Sequence, residues 1–283
     1  MKGRIPSEVV LYSESPMMIM TIAAHPGDAI FTMGAPVGVE VHYGGHGVFV
    51  CLSLGERGNP CVPIESYGRE QEKALLRAAK MLGAEAVVLP FPDGGVPDDA
   101  HTARSLRDLI GQFKPRTIIS HWGGSCHGDH IACFRLTMEA LDLVQEGDRK
   151  YAPAAHSAEK LYFAENWEDS KGFETDTYLD ITPVYRKWVE ACAGFPMWRG
   201  ETGFRYRDYY RSLASLRGCL SGVPYAAGLM SYLNHGVSCV KSLIDGRMLH
   251  RVGDGANERH SRKELYGNRK ISLSILKYDG NKK

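Results

Sequence analysis

Two short polar clusters hold the residue types best suited to chemistry in this chain. His25, Pro26, Gly27 and Asp28 follow an apolar run at 17–24, and His127, Gly128, Asp129 and His130 follow a second at 117–120. Imidazole nitrogen and carboxylate oxygen both suit a borderline divalent ion such as zinc. Three such ligands, with a fourth position left to water, make a hydrolytic site, whereas a structural zinc is closed by four protein ligands. Pro26 fixes one backbone angle and Gly27 frees the next, so the first turn can bring His25 and Asp28 to one point. A histidine capped by a turn carboxylate is also a common structural feature, and HPGD alone leaves both readings open. HGDH adds more, because its histidines lie three apart at an expected helix start and both can face one edge.

The elements that must position these clusters read as follows. Runs at 17–24, 48–53, 86–89, 117–120 and 160–164 predict strands. Between them lie a short helix after Asp28 and helices over 67–82, 101–113 and 129–144. The 67–82 segment is the clearest, with Ala74, Leu75, Ala78, Ala79 and Leu82 at helical spacing and Gly83 as its stop. Alternating strands and helices imply an α/β fold with a doubly wound, mainly parallel sheet and helices on both faces. Ligands in such sheets gather past the carboxyl ends of the strands, where both clusters fall. Further on, Asp180-Ile-Thr-Pro predicts a strand end entering a helix, with Thr182 at the cap and Pro183 in the first turn, running to about Gly194. Another helix is expected over 206–220, and 221–283 reads as a packed extension or a partner-binding tail. We expect a single domain over 1–283, with a core at about 17–165 and a C-terminal extension at about 166–283.

Composition narrows the class. The 283 residues, 43% hydrophobic and 24% charged, are ordinary for a soluble globular protein. A net charge of +1 gives no electrostatic case for nucleic acid or an anionic membrane as partner. No run approaches the roughly 18 apolar residues of a membrane-spanning helix, and the opening residues lack the apolar core of a signal peptide, so a cytoplasmic location is expected. Seven cysteines without a CxxC pair fit a reducing compartment better than a disulfide framework. Cys126 reads as a packing residue, and His42, His46, His101, His156, His235, His250 and His260 lack ligand spacing. Phe204, Tyr206, Tyr209 and Tyr210 read as core or as a contact in a homo-oligomer. The first strand is not followed by GxGxxG, which argues against a dinucleotide site.

The chain resembles the PIG-L (LmbE-like) family of zinc-dependent N-deacetylases. The matching pieces occur in family order: AHPGDA at 24–29, LGERG at 54–58, R-E-Q-E at 69–72, PDG at 92–94 and HGDH at 127–130. The likeness is good over about 17–165 and thin afterwards. It implies a Rossmann-like fold and hydrolysis of the acetamide of a small-molecule N-acyl amino sugar. It assigns Zn2+ to His25, Asp28 and His130, and gives His127 the task of polarising the amide or protonating the leaving amine. It also matches Arg69 and Asp93 to positions that hold the sugar. Arg57 follows a strand on the same side of the sheet, and Trp122 offers a face for a sugar ring. The bland readings are an Arg69–Glu72 pair at a helix start, an Asp93 that only stabilises its turn, and a Trp122 that anchors a loop.

One departure stands out. Family members usually read HPDD, with the first Asp acting as general base, and here that position is Gly27. A positioned base contributes roughly 10²–10⁴-fold in rate. Asp129, Glu56 or the substrate itself are the candidate replacements. The alternative is a catalytically impaired member that binds a sugar or a metal.

Overall fold

The computed structural model describes residues 17–146, 158–233, 237–244 and 248–251. Its strands are β1 (Met18–Ala23), β2 (His46–Cys51), β3 (Glu85–Val88), β4 (Thr117–Ser120), β5 (Lys160–Ala164), β6 (Thr177–Asp180), β7 (Ala226–Ser231), β8 (Ser238–Val240) and β9 (Met248–Arg251). Its helices are α1 (Pro26–Phe31), α2 (Gly34–His42), α3 (Ile64–Leu82), α4 (Ala100–Phe113), α5 (Gly128–Glu146), α6 (Tyr185–Cys192) and α7 (Tyr206–Ser221).

The sheet runs β3-β2-β1-β4-β5-β7-β6-β8-β9, and its first five strands are mutually parallel. All six residues of β1 are buried, because helices cover both faces of this central strand. Successive side chains point to opposite faces. Ile19 and Ala23 join a core with residues of α1, α2, α3, α6 and α7, while Met20 and Ile22 join one with α4 and α5. The strand order reverses between β1 and β4, which opens a crevice past their carboxyl ends. Both polar clusters lie there.

The expected α/β architecture is present, with three local differences. Helix α1 begins at Pro26, so Asp28 lies in its first turn and not before it. Helix α2 was not among the expected elements. Pro36 is tolerated in a first turn, and a Cβ on Gly38 would stand 3.2 Å from Leu82 Cδ2, so the glycine permits close packing on α3. Thr182 does not cap α6. The cap is Val184, while the Thr182 N–H donates to Asp180 Oδ1 at 2.9 Å and its hydroxyl faces Tyr225 O.

Strands β6 to β9 continue the same sheet, with β7 antiparallel to both β5 and β6. Trp188, Phe195, Trp198 and Tyr210 are buried in the core shared with α1 and α2. Residues 221–233, 237–244 and 248–251 thus belong to the fold, while the rest of 221–283, His156, His235 and His260 lie outside the described residues. Among the described residues, no helix is long and apolar enough to cross a membrane.

Candidate active site

The end of β1 and the first turn of α1 deliver His25 and Asp28 to the crevice, while the segment after β4 delivers His121 and His127 and the first turn of α5 delivers His130. His25 Nδ1 lies 2.8 Å and His130 Nε2 3.1 Å from the same oxygen, Asp28 Oδ2. The other Asp28 oxygen accepts a hydrogen bond from Asn166 Nδ2 at 3.1 Å. One ligand atom from each of His25, Asp28 and His130 lies within 4.8 Å of the other two. His25, His127 and Asp129 form a second such triple. However, the Asp129 oxygens already accept the N–H groups of Gly94 (2.6 Å) and Val96 (3.2 Å), which leaves the first triple better suited to an ion.

The electrostatics also favour a cation here. His25 Nε2 faces Asp93 Oδ1 at 3.1 Å and Asp129 Oδ2 at 3.3 Å, so three carboxylates surround one imidazole. Burial alone would lower the His25 pKa, but hydrogen bonds to Asp129, Asp28 and Asp93 raise it well above the usual value. Burial would raise the Asp28 carboxyl, but His130 and His25 outweigh it and hold the group well below the carboxylate range. Asp129, opposed by burial and helped by His25 and the two amides, falls to about 2. A nitrogen, oxygen, nitrogen donor set in such an acidic nest fits a divalent metal.

His130 and the two histidines beside the triple, His121 and His127, are placed differently. His130 is almost wholly buried, with Nδ1 facing Ser125 Oγ at 3.3 Å and Glu168 Oε2 at 3.5 Å. His121 stacks on it at 3.9 Å and accepts the Ala24 N–H at Nε2, and burial pushes its pKa well down. His127 accepts the Asp129 N–H at Nδ1 (3.2 Å), which assigns the proton of the neutral ring to Nε2. Burial, with the charges of His130 and His25, lowers its pKa. Above lies an open cavity of about 280 Å³ whose lining includes His25, Asp28, His127 and His130.

Residues 20–141 match the family model described as PIG-L: GlcNAc-PI de-N-acetylase. The chain carries a PIG-L family domain. It is 25% identical over 234 residues to the 4-oxalmesaconate hydratase of Pseudomonas putida, covering 75% of this chain and 88% of that one. It is also 25% identical over 178 residues to the 1D-myo-inositol 2-acetamido-2-deoxy-alpha-D-glucopyranoside deacetylase 1 of Catenulispora acidiphila. That match covers 51% of this chain and 54% of the relative, so the chain spans about half of the deacetylase's length. Among solved structures, the 4-carboxy-2-hydroxymuconate hydratase of Pseudomonas putida superposes with a TM-score of 0.71 at 23% identity, over 76% of this chain and 96% of that one. Named relatives of the PIG-L domain thus include amino-sugar deacetylases and a hydratase, all enzymes.

The fold brings some of the remaining sequence-based candidates into the pocket and leaves others out. Arg57 and Asp93 line it, with Asp93 Oδ2 accepting the Arg57 backbone N–H at 2.7 Å. Arg69 does not. Its side chain stands on the outer face of α3, 63% exposed, bonded to Ser66 Oγ and 3.9 Å from Glu65. Trp122 is also turned away, donating Nε1–H to Lys171 O and packing on Phe134 and Phe163. Glu56 points to the Asp93 N–H at 3.0 Å and lies outside the lining.

Gln71 lines the pocket from the R-E-Q-E motif, and four lining residues had no place in the sequence-based reading: Trp167, Glu168, Met197 and Tyr206 as a wall residue. Trp167 and Glu168, with Asn166, follow β5, so the strand-end rule applied once more would have found them. Met197 had no local signal. Gly27 lies in α1 with an ordinary φ, and a Cβ placed on it would stand 3.3 Å from Met197 Sδ. The thioether therefore occupies the space beside Gly27. Gly55 does need its left-handed φ of 62°, and a Cβ there would press on His25 Cβ at 3.2 Å.

Proposed function

We propose that this PIG-L domain is a zinc-dependent hydrolase that removes an N-acyl group from a small-molecule amino sugar or its glycoside. One observation carries the reading: His25, Asp28 and His130 converge on a point at the floor of an open pocket, with His127 beside it. Zinc held by these three would act as a Lewis acid on the acyl carbonyl and lower the pKa of a water to about 7. His127, oriented by the Asp129 N–H at Nδ1, presents Nε2–H as a hydrogen-bond donor that would polarise the acyl oxygen of the amide. Asp129 acts through others, tying His25 Nε2 to the amides of Gly94 and Val96. Asn166 and Ser125 orient Asp28 and His130 in the same way.

A second reading, addition of water to an unsaturated carboxylic acid, is favoured by a specific pair of observations. No carboxylate stands at position 27, where Met197 fills the space. In addition, the hydratase relative is matched over 88% of its length against 54% for the deacetylase. The deciding assay offers zinc-loaded protein N-acetylglucosamine glycosides, scored by amine release, and conjugated dicarboxylic acids, scored by loss of ultraviolet absorbance. Amine release supports deacetylation. Absorbance loss without it replaces the first reading with the second, and ligand binding without either reaction makes the domain a binding protein.

A further inference from the structure

Among the described residues, and apart from histidines, the only cationic side chain lining the pocket is Arg57. Its root is fixed twice over. The Arg57 N–H donates to Asp93 Oδ2 at 2.7 Å, and the Asp93 N–H donates to Glu56 Oε1 at 3.0 Å, so the 55–58 and 92–94 loops hold each other. Gly58 closes the first loop with a 3.1 Å bond to Gly55 O. The guanidinium itself pairs with no carboxylate among the described residues. Arg116, Arg199 and Arg217, by contrast, each lie within 4 Å of an acid: Glu159, Glu70 and Glu165. Asp93 is not its partner either, since that carboxylate is taken by the Arg57 backbone and by His25 Nε2. A pinned arginine with all its side-chain donors unspent thus stands at a pocket whose floor is a metal-ligand set. Across the pocket, Trp167, stacked on Phe204 at 4.3 Å, and Tyr206 form an aromatic wall.

We propose that Arg57 binds a carboxylate of the substrate and makes the site selective for anionic over neutral compounds; this rests on the pocket being the active site. The planar fork of a guanidinium matches a carboxylate with two parallel hydrogen bonds, which a lysine cannot reproduce. Two sources share this chemistry, an amino sugar with an acidic aglycone and an unsaturated dicarboxylic acid.

The test measures equilibrium binding of succinate, which neither reaction can consume, and of neutral N-acetylglucosamine. Zinc-loaded wild type, Arg57→Gln and Arg57→Lys are compared, with zinc content and melting temperature checked for each. Arg57→Gln is expected to weaken succinate about tenfold or more and to leave N-acetylglucosamine unchanged, with Arg57→Lys in between. Unchanged succinate affinity, or an equal loss for both probes, overturns the proposal. Turnover of an acidic amino-sugar glycoside against a conjugated dicarboxylic acid then separates the two sources. Selective loss of succinate without turnover of either leaves the proposal standing and removes the hydrolase reading. Turnover with unchanged succinate binding in Arg57→Gln does the reverse.

Discussion

The floor of the pocket and its walls are built in opposite ways. On the floor nearly every polar atom is engaged: Asp28 by two imidazoles and Asn166, Asp129 by His25 and two amides, His130 by Ser125. On the walls, Arg57 extends from a pinned backbone with its guanidinium unspent, and Met197 fills a space by packing, with one weak contact to Gln71. Interlocked groups lose little further freedom when a ligand arrives, so the floor suits fixed chemistry. Groups with spare donors can be exchanged at small cost to the fold, so the walls suit selection.

The largest expected effect is on the floor. His130→Ala removes one of the three proposed ligands, and elemental analysis should show metal content strongly reduced, with activity falling at least about 100-fold. Full metal occupancy in that variant would break the distinction. Asp129→Asn keeps the size of the side chain but weakens its hold on His25, and metal affinity should drop roughly 10–100-fold by competition with a chelator. An affinity equal to wild type would show that Asp129 serves only its loop.

A wall substitution sharpens the same contrast. Gly27→Asp supplies the carboxylate usual in the family, but its Cβ meets Met197 Sδ at 3.3 Å. The double variant Gly27→Asp/Met197→Ala should therefore release amine about tenfold faster than Met197→Ala, while Gly27→Asp alone gains less over wild type. Equal gains in both backgrounds would show that the thioether does not control that space.

The smallest effect concerns Asp169, under the wall segment 166–168. Its Oδ2 accepts the Asn166 N–H at 2.9 Å, its Oδ1 is buried without a partner among the described residues, and burial raises its pKa to about 7. A carboxyl raised in the folded state favours folding below its unfolded pKa and loses that contribution as pH rises through about 7. Asp169→Asn should accordingly raise the melting temperature at pH 8, by an amount equivalent to about 1–2 kcal/mol, and leave it unchanged at pH 4. A pH-independent shift would assign the effect to packing.

Much of the floor was legible in the sequence, because it is written in two strand-end motifs. Strands β4 and β5 begin and end where their apolar runs do, since strands covered on both faces need continuous apolar residues. Helix α2 was not legible, because its glycines serve tertiary contacts with Leu82 and Trp188 that no local pattern reveals. Strands β7 to β9 lie outside the regular alternation of strand and helix, so periodicity gave no reason to add them to the sheet. The walls were harder still. Arg69 sits in a family-like motif but faces out from α3. Met197, from the loop between α6 and α7, reaches Gly27 only through the fold of the C-terminal part.

The proposed ligand set also has a temporal side. Asp28 and His130 are 102 residues apart in the chain and meet only where β4 lies alongside β1. Such distant pairings are slow to form, because loop closure comes before any reward. A collapsed chain that has not yet inserted β4 would lack the proposed site, so capture of an ion there would belong to the end of folding. The stabilisation by a bound ion would then appear chiefly as slower unfolding, making it a latch on the central strand pair rather than a seed for it.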